Sequence, residues 1–148
     1  MNKQLLNKAL KKLSRRAYSE QELKNYLVKF APTTDELKEV FTKLRSWGYL
    51  DDQKLAEEWY EFYLCKEIYG YFYIFKKLQT KGIPLEIIKT TLANYDFELE
   101  LKRAKVLAEK YWQKDKSLKG REKVARRLYY RGFSEANIRK IITELIIV

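Results

Sequence analysis

Chemistry in this chain falls to its cations. Lys3, Lys8, Lys11, Lys12, Arg15 and Arg16 occupy the first sixteen residues without one acid among them. Lys119, Arg121, Lys123, Arg126, Arg127 and Arg131 crowd a second stretch against Glu122 alone. Amines and guanidiniums grouped in this way attract polyanions by long-range steering and counterion release. Lys119, Lys123, Arg127 and Arg131 are each four apart, so on a helix they form one stripe beside Val124 and Leu128 that can track a phosphate backbone. Like charges at that spacing destabilise a helix by roughly 0.2 to 0.5 kcal/mol per pair, so an anionic partner explains the run better than stability does. Lys76, Lys77 and Lys81 make a thinner third group. The candidate binding cations are therefore Lys11, Lys12, Arg15 and Arg16; Lys76, Lys77 and Lys81; and Lys119, Arg121, Lys123, Arg126, Arg127 and Arg131.

Other chemistries lack their residues. With no histidine and one cysteine, Cys65, the sequence offers no Cys/His zinc set, no histidine base and no internal disulfide. Cys65 sits among Phe62, Tyr63, Leu64 and Ile68 and reads as a buried packing thiol. Asp51 and Asp52 stand just before a helical stretch, where carboxylates accept from free amides, and read as caps rather than as a metal or acid pair. No catalytic residue, metal or cofactor is expected. Tyr69, Tyr71, Phe72, Tyr73 and Phe75 cannot all face one core. Helical spacing aligns Phe72 and Phe75 with Leu78 and so buries them, which leaves Tyr69, Tyr71 and Tyr73 as a candidate aromatic interface for stacking or for a protein partner.

The excess of 31 Lys and Arg over 20 Asp and Glu gives a net charge of +11. Seven Phe, twelve Tyr and three Trp supply enough apolar surface for a real core. No run approaches the roughly 18 apolar residues of a spanning helix, and Met1 to Leu13 carries lysines through its apolar positions, so a cytoplasmic protein is expected.

Apolar residues recur at three and four throughout, the helical period. Sliding the chain along itself aligns Leu27, Ala31, Thr33, Leu37 and Phe41 with Leu78, Gly82, Pro84, Ile88 and Leu92, and these with Leu128, Gly132, Ser134, Ile138 and Ile142. Gly82 and Gly132 read as helix stops with a cap two residues on, and Gly48 as a further stop. Ala31 breaks the pattern, so Pro32, which lacks an amide donor, is expected to end that helix. A leading helix precedes each pair. The expected fold is all-α, three tandem three-helix repeats over 1–49, 50–95 and 96–148, forming an elongated, curved array.

Trp47-Gly48-Tyr49-Leu50-Asp51-Asp52 followed by Leu55 and Ala56, the turns Lys81-Gly82-Ile83 and Arg131-Gly132-Phe133-Ser134, and Ser14-Arg15-Arg16 with Ser19-Glu20 occur in an order and a three-copy layout that resembles the RecX regulatory-protein family. The resemblance covers the full length. It implies a non-enzymatic protein that lies along the RecA filament on single-stranded DNA and modulates RecA, usually inhibiting its ATPase, recombinase and co-protease activities. Roles in homologous recombination, DNA repair and the SOS response come with it. The implied partners are the RecA filament and DNA, single-stranded and beyond that double-stranded, with no membrane, for a monomer. An independent helical DNA-binding module is the alternative. Where the family usually places a Gly-Pro pair and clustered arginines, this chain reads Gly70-Tyr71-Phe72-Tyr73-Ile74-Phe75, so no arginine contact is carried over to that segment.

Overall fold

Helix boundaries in the computed structural model, which describes residues 1–147 and side chains as far as Leu145, follow from local capping chemistry. The helices are α1 (Lys3–Leu13), α2 (Glu20–Leu27), α3 (Thr34–Ser46), α4 (Asp52–Cys65), α5 (Tyr71–Thr80), α6 (Leu85–Thr91), α7 (Phe97–Lys114), α8 (Leu118–Tyr130) and α9 (Glu135–Ile147). The fold is all-α, with nine α-helices and no strand among the described residues. Val148, the last residue of the expected third repeat, lies outside them.

Ser19 and Thr33 open α2 and α3 in reciprocal capping boxes with Glu22 and Glu36. Asp51 caps α4 by accepting from the Lys54 amide at 3.1 Å, and Asp52 begins that helix as expected. Gly48, Gly82 and Gly132 hold φ near +80°. After each of them the next amide bonds back across the turn, Tyr49 to Leu44, Ile83 to Leu78 and Phe133 to Leu128, which satisfies carbonyls the helix leaves open.

Ala31 behaves differently from the sequence expectation. α2 tightens into a 3₁₀ turn over Val28–Phe30, and Ala31 itself takes the left-handed conformation at φ 51°. The stop is thus made in the same way as at the glycines, at a steric cost of about 1–2 kcal/mol for a residue with a Cβ. Cys65 is also corrected: it is exposed. The buried side of α4 runs through Leu55, Ala56 and Tyr63, and two residues past Tyr63 the helix has turned about 200°, away from that side.

The chain forms two compact units. One comprises Met1–Trp59 with Leu78–Thr91, the other Tyr60–Lys77 with the chain from Leu92 onward, so the divisions fall inside α4 and α5. The first unit's core is Leu5 and Ala9 of α1, Leu23 and Leu27 of α2, Val40, Phe41 and Leu44 of α3, and Leu50. The second unit packs α7, α8 and α9 together around Ala104, Leu107, Ala108, Val124, Leu128, Phe133 and Ile141.

Candidate nucleic-acid interface

In the second unit the start of α5 is seated on the turn between α8 and α9. The Gly70 amide donates to the Arg131 carbonyl at 2.8 Å and the Phe72 amide to the Gly132 carbonyl at 2.9 Å. Both glycines are required by this approach. A Cβ on Gly132 would lie 2.1 Å from the Tyr73 nitrogen, and one on Gly70 would lie 2.5 Å from the Phe133 Cα. Gly132 therefore serves both its turn and its neighbour.

Between these two amides the Tyr71 N–H donates to Glu100 Oε1 at 2.9 Å. Glu100 is fully buried on α7, and its carboxylate gathers four more donors. Tyr95 Oη reaches Oε1 at 2.9 Å. Oε2 accepts from the Ser134 amide at 3.2 Å, the Ser134 hydroxyl at 2.9 Å and Asn137 Nδ2 at 2.6 Å. One carboxylate thus satisfies free amides at the starts of two helices, α5 and α9, where negative charge is favoured. Burial, and then the neighbouring Glu100 carboxylate, hold the Tyr95 phenol well above the usual range. Burial and the Tyr69 hydroxyl push Tyr73 up to about 12. On α7, one guanidinium nitrogen of Arg103 is buried without a hydrogen-bond partner among the described residues.

This scaffold fixes the angular position of every cation on α8. Val124, Leu128 and Gly120 face the core. Lys119, Lys123, Arg126 and Arg127 are exposed, whereas Arg131 is half-buried. Residues four apart advance by about 400°, so a stripe drifts by about 40° at each step. Over three steps Arg131 is carried about 120° from Lys119 and onto the Tyr69 ring, 5.6 Å from its centroid. The expected four-residue stripe is therefore a three-residue one. Its place on the solvent side is taken by Arg126, whereas half-buried Arg121 lies about 140° from Arg126 around the helix. Lys123 lies 3.8 Å from Asp115 and Arg127 sits 4.9 Å over the Tyr111 ring. Lys119 and Arg126 make no ion pair among the described residues, and neither does Lys76.

The aromatic assignment shifts by one face. Phe72, expected inside, is 57% exposed, and Ile74 and Leu78 take the buried face of α5, with Phe75 half-buried. Tyr69, Tyr71 and Tyr73 are half-buried and spend their rings on neighbours. Tyr69 stacks on Tyr73 at 3.8 Å between centroids, and Tyr71 meets Tyr95 and Phe97 at 5.3 Å each. The freely displayed rings of this unit include Phe72 and two that the sequence reading passed over, Tyr129 at 64% and Tyr130 at 72% exposure. Their signal was present in the sequence. Measured from the core-facing Val124 and Leu128, Tyr130 falls on the side of α8 occupied by Lys123, Arg126 and Arg127.

The first unit holds its cations on rings. Arg16 lies 3.6 Å over Tyr18 and 3.2 Å from Glu22, and Lys12 lies 4.4 Å over Tyr26. Lys81 sits 3.5 Å over Trp59, while Lys11 and Arg15 are exposed. In the second unit Lys77 lies 5.3 Å over Tyr73. A joint resembling the one at Gly132 recurs in the first unit. The Ser19 hydroxyl donates to the Lys81 carbonyl at 2.5 Å, the Glu20 amide donates to Asp52 at 3.0 Å, and a Cβ on Gly82 would lie 2.8 Å from Gln21 Cβ. Asp52 is held above the usual carboxylate range, by burial first and by neighbouring Glu20 and Asp51 next.

No group of three or more Cys, Asp or Glu is placed to hold a metal among the described residues, and no described helix is long and apolar enough to cross a membrane. Fold and surface together define an all-α protein that displays cations and aromatic rings on helix faces. No family model matches the chain. The regulatory protein RecX of Bacillus subtilis (strain 168) is 32% identical over 131 residues, which cover 86% of this chain and 50% of that protein. The regulatory protein RecX of Geobacillus sp. (strain WCH70) is 30% identical over 143 residues, covering 95% of this chain and 53% of that one. The crystal structure of RecX from Lactobacillus salivarius matches with a TM-score of 0.86 at 26% identity, over 99% of this chain and 97% of that chain. A second crystal structure, of regulatory protein RecX, shares the fold with a TM-score of 0.80 at 23% identity, over 93% of this chain and 71% of that one. Along most of its length the chain is thus similar to proteins named as RecX regulatory proteins. It spans about half the length of the curated relatives it matches.

Proposed function

We propose that this chain binds the RecA nucleoprotein filament formed on single-stranded DNA and modulates RecA, lowering its ATPase, recombinase and co-protease activities. The observation that carries this reading is the likeness to a solved RecX over 99% of the chain. The exposed cations of α8 support it, since a filament built on DNA presents the polyanion that such a face attracts. In this reading Lys119, Lys123, Arg126 and Arg127 make the firmest electrostatic contacts. Lys11 and Arg15 act in the first unit, and Lys12, Arg16, Lys77, Lys81 and Arg131 contribute from positions already braced by rings.

The same reading treats the chain as three three-helix repeats, 1–49, 50–95 and 96–148, working as a cytoplasmic monomer. The recurring joint supports the repeat. Ser19 and Gly70 are 51 apart and Gly82 and Gly132 are 50 apart, close to the offsets that align the turns. Repeat units that bury little alone gain stability by such neighbour contacts.

The test adds the protein to RecA on single-stranded DNA and follows ATP hydrolysis and filament length. Inhibition at amounts well below those of RecA is the expected result. No change in hydrolysis, together with tight binding to bare DNA, would replace this reading with an independent DNA-binding module.

A further inference from the structure

The second unit contains a cleft of about 720 Å³, within the range of roughly 300–1,000 Å³ usual for ligand sites. The exposed rings of Phe72, Tyr129 and Tyr130 line it, and Lys76 stands on its wall. Tyr73 and the buried Phe133 complete its apolar surface, and Glu135 is its acid. A shallower recess that shares Tyr129 adds Arg126 and Arg139.

We infer that this cleft is a stacking site for the bases of single-stranded nucleic acid, with Phe72, Tyr129 and Tyr130 taking bases and Lys76 and Arg126 holding the phosphates between them. Three observations favour that occupant. Every apolar side chain lining the main cleft is aromatic, and a ring offers any base a π-face regardless of sequence. Charge fits as well. Arg126 precedes Tyr130 by one helical turn and shares a recess with Tyr129, so cation and ring alternate on one side of α8 as phosphate and base alternate along a strand. The backbone that carries the rings is also fixed. Phe72 is fixed through its own amide to Gly132, and Tyr129 and Tyr130 close α8 just before that same turn.

The inference rests on the reading of this face as the polyanion-binding surface, but it needs no RecA. Its test uses the full chain and a dye-labelled oligothymidylate of about twenty nucleotides, with an abasic strand of equal charge beside it, followed by fluorescence anisotropy. Phe72→Ala, Tyr129→Ala and Tyr130→Ala are each expected to weaken binding to the base-bearing strand about 5- to 150-fold, with little change on the abasic strand. Tyr130→Phe keeps the ring and is expected to bind as the unaltered chain does, which separates stacking from any loss of folding. Arg126→Gln is expected to lower the salt slope by about 0.7, and the ring variants to leave it unchanged. Equal binding of the alanine variants and the unaltered chain to oligothymidylate would overturn the inference, and so would equal losses on both strands. Alanine variants that keep the oligonucleotide but lose the RecA filament would show a protein-docking site instead, overturning the inference while leaving the proposed function intact. Failure of the unaltered chain to affect RecA, with the stacking pattern present, would overturn only the proposed function.

Discussion

Replacing Glu100 by Gln changes one oxygen to an NH₂ group within a shell of hydrogen-bond donors. Five hydrogen bonds converge on the native carboxylate, two on Oε1 and three on Oε2. The glutamine can turn its NH₂ toward either set. Hydroxyls adapt, since Tyr95 and Ser134 can each rotate and accept. Backbone amides cannot, so the cheaper orientation strands the Tyr71 N–H and the other strands Ser134 N–H with Asn137. Asn137 has no free flip, because its Nδ2 also holds the Phe97 carbonyl at 2.9 Å. One stranded buried donor costs about 1–3 kcal/mol, and weakening the remaining bonds to a neutral amide adds to it, for a total of about 2–4 kcal/mol. Urea unfolding followed by circular dichroism at pH 7 measures this as a lower midpoint at unchanged slope. Glu98→Gln, on the exposed face of the same helix, is the control and is expected to stay within about 0.5 kcal/mol of the unaltered chain. If Glu100→Gln also stays within about 0.5 kcal/mol, the joint does not depend on its carboxylate and the positioning argument for Phe72 fails with it.

Glycine substitutions separate backbone strain from crowding. Gly48→Ala, with nothing near its Cβ, is expected to cost about 1–2 kcal/mol for its left-handed φ alone, and Gly132→Ala clearly more because its Cβ meets Tyr73, as paired urea curves would show. Asp52 has a raised pKa, so its contribution favours folding below the usual carboxylate range and is lost as pH rises through the raised value. Asp52→Asn keeps an acceptor for the Glu20 amide. Its stability relative to the unaltered chain is therefore expected to rise between pH 3.5 and pH 7, and a difference independent of pH would refute the assignment. Tyr73, held at about 12, keeps the fold's contribution intact below the ordinary phenol value near 10 and loses it as pH rises toward 12. Absorbance titration at 295 nm is expected to lose a late-ionising component in Tyr73→Phe. Joint charge reversal at Arg126 and Arg127 is expected to weaken filament binding at moderate salt with the helical signal unchanged, and full binding would remove α8 from the interface.

What the sequence disclosed and what it hid divide along physical lines. Turns were legible because glycine at a left-handed position is a local requirement, which is why Gly48, Gly82 and Gly132 were assigned correctly. Ala31 was not, because the surrounding structure can impose the same conformation on a residue that dislikes it. The phase of α5 was undecidable from periodicity, since a run reading Tyr-Phe-Tyr-Ile-Phe is apolar all round. Tertiary contacts then chose Ile74 over Phe72 for the core. Glu100 left a trace that was missed. It occupies the stripe of Ala104, Leu107 and Ala108, and an acid at a core position of an otherwise regular stripe marks a buried carboxylate with donors waiting for it.

The two joints also show why the aromatic cleft sits where it does. At Gly82 the acid that completes the joint, Asp52, is half-buried and accepts one cross-helix amide. At Gly132 the corresponding acid is fully enclosed and binds five donors from three segments of the chain. Every donor added to a buried carboxylate ties one more segment to the same point, so the second joint is the stiffer of the two. A stacking surface benefits from stiffness because rings already in place lose little freedom when a base arrives. Phe72, Tyr129 and Tyr130 all lie within four residues of that joint's backbone contacts, while the cations of the first unit are braced individually by rings. Recognition of bases is therefore expected to concentrate in the second unit. The salt-independent part of nucleic-acid binding should therefore fall with the loss of the rings near Gly132.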